Sequence, residues 1–332
     1  MIRVLKDNFL GVIFCAIFSL VAVNIGKLDQ VVSLNLNSLT IAIILGMIIS
    51  NLIPKIVNPS CKPGIVFSAK KILRLAIVLY GFRITFQQIA EVGIQGLFAD
   101  SIMLTTTYLL GYYLGTRVFK LDKDLCMLTA IGSSICGAAA VLGTDGVLKA
   151  KSHKVSLAVA TVVLFGTLSI FLYPLIFKLG FLDAKVFGIY IGSTVHEVAQ
   201  VVAAGGAISP NTMDTAVIVK LTRVMMLVPY LFLLSLYLAK KSGSKMSEIQ
   251  IPWFAILFVV VCGFNSLKLL PLNICSHIID FDIFLLTMAM FALGMETNFE
   301  KIKNLGIKPI LLAGIMFIWL VGFGLLVNKI IA

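Results

Sequence analysis

The amino-acid sequence predicts an all-α polytopic membrane protein, and its composition, its apolar stretches and its basic loops support this fold class. Of the 332 residues, 60% are hydrophobic and only 13% are charged, whereas soluble domains usually carry about 25% charged residues. Apolar stretches of bilayer-spanning length recur along the chain, so we expect about 9–11 transmembrane helices. This pattern predicts a single transmembrane domain over residues 1–332.

Most of the apolar stretches have roughly the 20 residues that a helix needs to cross the membrane. They lie near 9–26, 36–53, 65–82, 97–119, 155–178, 212–239, 252–270, 281–296 and 309–331. The first follows Arg3 and Lys6 as in a signal peptide. No small-residue cleavage site comes after it, so we expect an uncleaved first span. The net charge of +12 is typical of Lys/Arg-rich cytoplasmic loops. We therefore expect a lipid bilayer and no nucleic acid as partner.

Two further runs carry polar groups among small apolar residues, and they align with each other. Ile131–Val141 reads IGSSICGAAAV and Ile191–Val201 reads IGSTVHEVAQV, at an offset of 191 − 131 = 60 positions. The second run places an imidazole and a carboxylate, His196 and Glu197, where the first has a thiol and a glycine. An ionisable group at membrane depth is costly, so these runs indicate a functional site.

The basic residues predict that the two runs, near 125–147 and 187–207, dip into the membrane and return. With the N terminus in the cytoplasm, a re-entrant first run keeps the following basic loop on the same side as Lys120, as the positive-inside rule requires. The second run then enters from the other side. This topology makes the following lysines cytoplasmic: Lys149, Lys151, Lys154, Lys240, Lys241, Lys245, Lys301, Lys303 and Lys308. Two full crossings would give a less regular topology, and this alternative stays open.

Internal similarity predicts inverted repeats. The related elements cover residues 65–148 and 187–331. Gly81 and Gly294 begin matching segments at an offset of 294 − 81 = 213 positions, and the predicted topology runs these segments in opposite directions, as in secondary transporters. Arg83 and Glu296 hold equivalent places in them. There they either form a buried pair or extend separately to the membrane interface.

Glycines and hydroxyl groups in the two runs predict an anion-binding cradle at the N-termini of two facing half-helices. Non-helical backbone at membrane depth is tolerated only inside protein or beside a wet cavity. The free N–H groups and the helix dipole there favour negative charge. The residues expected to form the site are Ser133, Ser134, Gly137, Ser193, Thr194, His196, Glu197, Gln200, Lys220 and Arg223. The alternative is small-residue helix packing without a ligand.

Two of these residues, Lys220 and Arg223, lie in an apolar run, and their spacing of three places them on one helix face. Two cations at membrane depth need neutralisation. Either Glu197 neutralises them in a structural network, or a transported dianion does, with Arg223 offering a planar fork suited to an oxyanion. His196 titrates near neutral pH, so we expect His196 and Glu197 to carry a proton or to orient the site.

The motifs resemble those of a known family. The two runs, with LYGFRITFQQIAEVGI and NTMDTAVIVKLTRVMML, resemble the YeiH-like bacterial inner-membrane family that carries the label of sulfate exporters. The resemblance covers nearly the whole chain. The family is similar to the wider group of cation/proton antiporters and anion transporters with inverted repeats and interrupted helices. The resemblance implies a multi-pass protein of the cell inner membrane whose substrate is sulfate or a related oxyanion or sulfonate.

We therefore expect a secondary active transporter for a small inorganic or organic anion, coupled to H⁺ or Na⁺, and not an enzyme. A passive anion channel stays open because it would use the same dipoles and cations. The run HEVAQ from His196 to Gln200 lacks the second His of the HExxH zinc helix, so an intramembrane metalloprotease is the weaker alternative. Six Cys without a CxxC pair indicate neither disulfides nor a zinc site. We expect no metal and no cofactor, and a homodimer stays open.

Overall fold

A computed structural model describes residues 2–26, 38–52, 59–242, 253–297 and 306–331. Within these five ranges all regular secondary structure is helical, which confirms the all-α fold class. The α-helices in them are α1 Ile2–Ile25, α2 Ser38–Leu52, α3 Lys62–Phe67, α4 Leu73–Tyr80, α5 Phe86–Tyr113, α6 Lys123–Ser134, α7 Ala138–Leu148, α8 Ser152–Phe177, α9 Ala184–Thr194, α10 Val198–Gly206, α11 Pro210–Met225, α12 Leu227–Ser242, α13 Trp253–Ser266, α14 Leu272–Glu296 and α15 Ile307–Ile331. Short 3₁₀ or π-helical turns lie at Pro59–Cys61, Ser68–Ile72, Gly81–Arg83 and Leu114–Val118.

Five helical stretches in the described ranges are long and apolar enough to cross a membrane. They are Asn8–Ile25, His153–Phe177, Pro210–Tyr237, Asn273–Glu296 and Ile307–Ile331. The predicted spans near 36–53, 65–82 and 252–270 fall on helices that are shorter or are divided by 3₁₀ or π-helical turns. The predicted span near 97–119 falls on the part of α5 that follows a break at Gly93, and on the π-helical turn Leu114–Val118. Hydropathy averages over a window, so it does not locate such turns.

The chain divides into two compact units. Unit 1 comprises Met1–Ile89, Gly206–Ile208 and Phe254–Glu300. Unit 2 comprises Ala90–Gly205, Ser209–Trp253 and Lys301–Ala332. Every site residue that the sequence identifies belongs to unit 2.

Helices in unit 1 approach each other closely at glycines. Gly46 of α2 meets Gly294 of α14, and a Cβ added to Gly46 would lie 2.2 Å from the carbonyl oxygen of Phe291. Gly11 of α1 and Gly64 of α3 meet in the same way. Small residues let membrane helices pack backbone to backbone, so the apolar helices of unit 1 are in close contact at these crossings.

Arg83 forms an ion pair inside unit 1, with a partner that the sequence does not indicate. Its Nε lies 3.7 Å from Oδ2 of Asp282 on α14, and the Asp282 side chain is fully buried. Glu296 is at the exposed end of the same helix. It is 296 − 282 = 14 residues from Asp282, about 21 Å along the helix axis. Arg83 therefore neither pairs with Glu296 nor extends alone to the membrane interface. Repeat similarity aligns backbone positions and does not identify side-chain partners.

Unit 2 contains a helical hairpin over residues 123–148, called the first hairpin. It consists of α6, a break at Ile135–Gly137 and α7. A Cβ added to Gly132 of α6 would lie 2.7 Å from the Val141 side chain on α7. Residues nine positions apart in one continuous helix would be about 13 Å apart. The two arms therefore lie side by side, and the chain turns back at the break.

The two ends of the first hairpin meet at one end of unit 2. Asp122 caps the start of α6 by accepting from two backbone N–H groups, and Lys154 at the start of α8 donates to its Oδ1 over 2.6 Å. Lys154 also donates to Oδ2 of Asp124 over 2.7 Å. The hydrogen bond from Lys154 holds the pKa of Asp122 below its usual range. The chain thus enters and leaves this element at the same end, as the re-entrant prediction requires.

A second hairpin covers residues 184–206 and consists of α9, a break at Val195–Glu197 and α10. α9 begins at Asp183, whose carboxylate accepts from two backbone N–H groups. It packs along α11 so closely that a Cβ added to Gly192 would lie 2.6 Å from Val219. This contact requires a glycine in α9.

The second hairpin also begins and ends at the same end of unit 2. Gly205, near the end of α10, lies against Met213 in the first turn of α11, and a Cβ there would be 2.8 Å from the Met213 Cα. Thr212 of the same turn donates to the carbonyl oxygen of Ala184, the first residue of α9, over 3.1 Å. Both runs that the sequence predicts to be re-entrant therefore form hairpins whose two ends lie together, as that prediction requires.

α8 connects the two hairpins and separates their open ends. It contains 26 residues, which is about 39 Å of helix. The first hairpin opens beside the start of α8, and the second hairpin begins shortly after α8 ends. The hairpins therefore enter unit 2 from opposite ends, as the sequence predicts.

The basic residues gather at the end of unit 2 where the first hairpin opens. α12 runs along α7, where Leu227 and Leu231 lie near Gly143, and α15 places Leu312 in a cluster with Leu121. The lysines in the described ranges at this end are Lys120, Lys123, Lys149, Lys151, Lys154, Lys240, Lys241 and Lys308, whereas Lys178, Lys185 and Lys329 lie towards the other end. Lys245, Lys301 and Lys303 lie outside the described residues. The positive-inside rule predicts that this end is cytoplasmic.

Candidate functional site

The breaks of the two hairpins meet at one buried lysine. Lys220 of α11 is fully buried, and its Nζ donates to the carbonyl oxygen of Ile135 over 2.5 Å and to that of Val195 over 2.6 Å. Ile135 and Val195 are equivalent positions in the two aligned runs, because 195 − 135 = 60. The repeat in the sequence thus corresponds to two matching carbonyl groups that share one ammonium.

Arg223 binds the second hairpin one turn further along α11. It is also fully buried, and its Nη1 donates to the carbonyl oxygen of Ser193. Both cations therefore face carbonyl groups at the C-terminal ends of α6 and α9. Those ends carry the negative pole of the helix dipole and have unpaired carbonyls, so a cation there is stabilised.

Glu197 crosses from the second hairpin to the first. Its Oε1 accepts from the backbone N–H of Ala138 over 3.0 Å, at the N-terminus of α7. Gly137 permits this approach in two ways. Its φ of +68° is in the left-handed region that favours glycine, and a Cβ there would lie 2.3 Å from Cγ of Glu197. The carboxylate thus stabilises the positive pole of α7.

Gln200 caps the other half-helix. Its Oε1 accepts from the backbone N–H of Glu197 over 3.0 Å, in the reciprocal position that a Gln takes in a capping box. The side chain lies against Gly166 of α8, where a Cβ would be 2.0 Å from Oε1. Gln200 is therefore fixed between its own helix and α8.

The predicted hydroxyl groups surround the breaks, and three of them bond within the protein. Ser134 donates to the carbonyl oxygen of Ala130 over 2.6 Å. Thr194 accepts from the hydroxyl of Tyr173 over 2.8 Å, and Ser193 accepts from the amide of Asn328 over 3.3 Å. The fourth hydroxyl, from Ser133, is buried and has no hydrogen-bond partner among the described residues.

His196 is buried between the cations and an aromatic ring. Only 2% of its surface is exposed, its ring centroid lies 6.3 Å from that of Phe317, and Lys220 and Arg223 act on it electrostatically. Its Nδ1 has no hydrogen-bond partner among the described residues. The ten predicted residues thus all lie at or beside the two breaks, or on α11 facing them.

The arrangement differs from the predicted anion-binding cradle in two respects. The N-terminus of α7 is occupied by Glu197, and Lys220 binds carbonyl groups. The sequence places these groups together but does not assign their partners, because bonds from side chains to the backbone depend on how the two breaks meet.

Two buried polar residues near Arg223 are not among the predicted site residues. Asp100 of α5 is fully buried, interacts electrostatically with Arg223 and Lys220, and has no hydrogen-bond partner on either oxygen among the described residues. Asn328 of α15 is 1% exposed, and its Oδ1 is likewise unpartnered there. A carboxylate inside the predicted span 97–119 was the available signal for Asp100.

The described ranges contain no group of three or more His, Cys, Asp or Glu side chains that could hold a metal ion. Within the HEVAQ run, the Glu197 carboxylate and the Gln200 amide oxygen are both engaged in helix capping.

Comparisons with known proteins identify the family. The family model described as conserved hypothetical protein 698 matches residues 10–313. The UPF0324 inner membrane protein YeiH of Escherichia coli K12 is 50% identical over 326 residues, which cover 97% of this chain and 93% of that protein. UPF0324 membrane proteins of Yersinia pestis and Pasteurella multocida are 48% and 47% identical, over 96% and 98% of this chain and 91% and 98% of their own lengths. The predicted YeiH-like resemblance is confirmed, and the chain belongs to this family of multi-pass inner-membrane proteins.

Proposed function

We propose that this protein is a secondary active transporter for a small anion, with sulfate or a related oxyanion or sulfonate as the substrate class. Arg223 carries the proposal. It is fully buried between re-entrant hairpins from opposite ends of unit 2, and its Nε and Nη2 have no hydrogen-bond partner among the described residues. A guanidinium with two free donors on one side is suited to an oxyanion.

The hairpin architecture supports alternating access. Irregular backbone at membrane depth occurs where it is buried or lines a cavity, and transporters of several folds place substrate sites at such interrupted helices. Lys220 ties the two breaks together through equivalent carbonyl groups. A small displacement of either hairpin would therefore shift both breaks. A site that opens to each side of the membrane in turn requires such a link.

Other polar groups could complete an anion site beside Arg223. Ser133 offers a hydroxyl without a partner among the described residues, and Lys220 has a third N–H in addition to the two that bind carbonyls. Glu197 and Gln200 hold the half-helix ends in place. In this proposal Arg223 is the main substrate ligand, and Lys220, Glu197 and Gln200 position the two breaks.

Transport by purified protein in proteoliposomes tests the proposal. Solid-supported-membrane currents, or uptake of radiolabelled sulfate, are measured for a panel of anions at several pH values. We expect a saturable response to sulfate or another oxyanion that a proton or sodium gradient can drive against the anion gradient. Flux that only follows the anion gradient would favour the channel alternative instead.

Two arginine variants test whether the measured flux depends on Arg223. Arg223→Gln should abolish the response, while Arg117→Gln, the same change at an exposed arginine, should leave it intact. Both variants must elute as monodisperse protein in detergent for the comparison to count. Full activity of Arg223→Gln, or no response of the wild type to any anion in the panel, would contradict the proposal.

A further inference from the structure

We propose that Asp100 couples anion binding to the uptake of one proton, because the carboxylate and the bound anion compete for Arg223. This inference rests on the proposed function and adds the coupling ion and the residue that carries it. No covalent bond forms or breaks. A proton from the solution on the open side of the site binds Asp100 when the anion binds Arg223, and it leaves when the anion leaves.

The unpaired groups around Arg223 form a complementary set. Asp100 presents two acceptor oxygens and Arg223 presents two donor nitrogens, all buried and all without hydrogen-bond partners among the described residues. The helices that carry them are in contact, because a Cβ added to Gly96 of α5 would lie 3.0 Å from the Val219 side chain of α11, and the two side chains interact electrostatically. Burial of such groups without partners is costly, so each is available to the other or to a third group between them.

The remaining charged groups of the site are already committed. Lys220 donates to carbonyl oxygens of both breaks, and the Glu197 carboxylate caps α7. Arg223 and Lys220, both on α11, are the charged groups that act on Asp100. α15 contributes the neutral amide of Asn328, and α8 contributes the hydroxyl of Tyr173 near Arg223. Asp100 is thus the carboxylate available to balance Arg223.

Charge balance then links the anion to the proton. Without an anion, an ionised Asp100 neutralises Arg223. An oxyanion on the free side of the guanidinium takes over that role and brings a like charge close to the carboxylate in a site of low dielectric. A like charge nearby and the loss of a cationic partner both favour the neutral carboxylic acid. Binding of the anion and protonation of Asp100 therefore promote each other.

The linkage has a measurable size. If one proton is taken up with each anion, the sulfate dissociation constant should rise about tenfold for each pH unit, over the pH range in which Asp100 is ionised in the anion-free protein. Transport would then move the anion and the proton together, in the same direction. A purely structural Asp100 would not change the number of protons bound with the anion.

Calorimetric titration of the purified protein with sodium sulfate tests this inference. The titration is carried out in Tris and in HEPES, whose ionisation enthalpies differ, at several pH values that both buffers cover, so that the difference in binding heat at each pH gives the number of protons taken up. We expect about one proton per sulfate for the wild type and about none for Asp100→Asn, whose sulfate affinity should no longer depend on pH. Asp280→Asn, the same change at an exposed position, should behave as wild type.

Each result separates the two proposals. Sulfate binding by the wild type without proton uptake overturns the role of Asp100 and leaves the anion transporter standing, and so does full proton uptake in Asp100→Asn. Absence of sulfate binding to the wild type overturns both for this anion. If Asp100→Asn does not fold, the wild-type proton count decides alone, and Asp100→Glu, which keeps a carboxyl group, should keep the uptake.

Discussion

Replacement of Lys220 by methionine should destabilise the folded protein, because Lys220 links the breaks of the two hairpins. Methionine has a similar length and apolar stem but no donor, so Lys220→Met leaves the carbonyl oxygens of Ile135 and Val195 without the ammonium that both accept from. An unsatisfied buried acceptor costs about 1–3 kcal/mol, which gives about 2–6 kcal/mol for two. Removal of a buried charge offsets part of this cost, and the C-terminal dipoles of α6 and α9 lose their counter-charge.

Reversible unfolding in mixed micelles of dodecylmaltoside and SDS measures this loss. Five of the six cysteines are buried, so a thiol-reactive fluorophore reports unfolding. Lys185→Met is the matched control, since Lys185 is exposed in the first turn of α9, and a surface change of this kind should stay within about 0.5 kcal/mol of the wild type. Equal stabilities of Lys220→Met and Lys185→Met would refute the view that Lys220 holds the two breaks together.

Two other changes test the contacts that define the fold. Gly137→Ala should destabilise the protein more than Gly180→Ala. Both glycines have positive φ, but a Cβ on Gly137 meets Glu197, whereas Gly180 faces open space. Equal losses of stability in thermal melts would show that Glu197 does not need the close approach. Arg83→Met should cost about 3–5 kcal/mol by leaving Asp282 unpaired and buried, and the double change with Asp282→Asn should cost less than the sum of the single changes in a double-mutant cycle. Strict additivity would contradict the ion pair.

The large features of the fold follow from the sequence because they depend on composition and periodicity. Hydropathy locates the apolar helices, and the positive-inside rule separates re-entrant runs from full crossings, since a full crossing of 125–147 would carry Lys149, Lys151 and Lys154 to the wrong side. The offset of 60 positions identifies Ile135 and Val195 as equivalent before either carbonyl has a known partner.

The contacts inside the site depend on tertiary packing and are harder to predict. Lys220 and Arg223 are recognisable as a charged pair on one helix face, but their carbonyl partners become visible only when the two breaks face each other. Asp282 is one buried carboxylate among several candidates for Arg83, and repeat similarity favours the wrong one. Asp100 lies far from both motifs in the sequence, so no local pattern connects it with Arg223.

A site between the two hairpins requires that they enter the membrane from opposite sides, and side-specific labelling of single cysteines measures this directly. In a cysteine-free variant, Lys120→Cys, Lys151→Cys and Asn211→Cys are placed at exposed positions and treated with an impermeant maleimide in intact and in permeabilised spheroplasts. The structure and the positive-inside rule predict that position 211 is labelled in intact spheroplasts and that positions 120 and 151 are labelled only after permeabilisation. Labelling of positions 151 and 211 from the same side would contradict a site formed between hairpins from opposite sides.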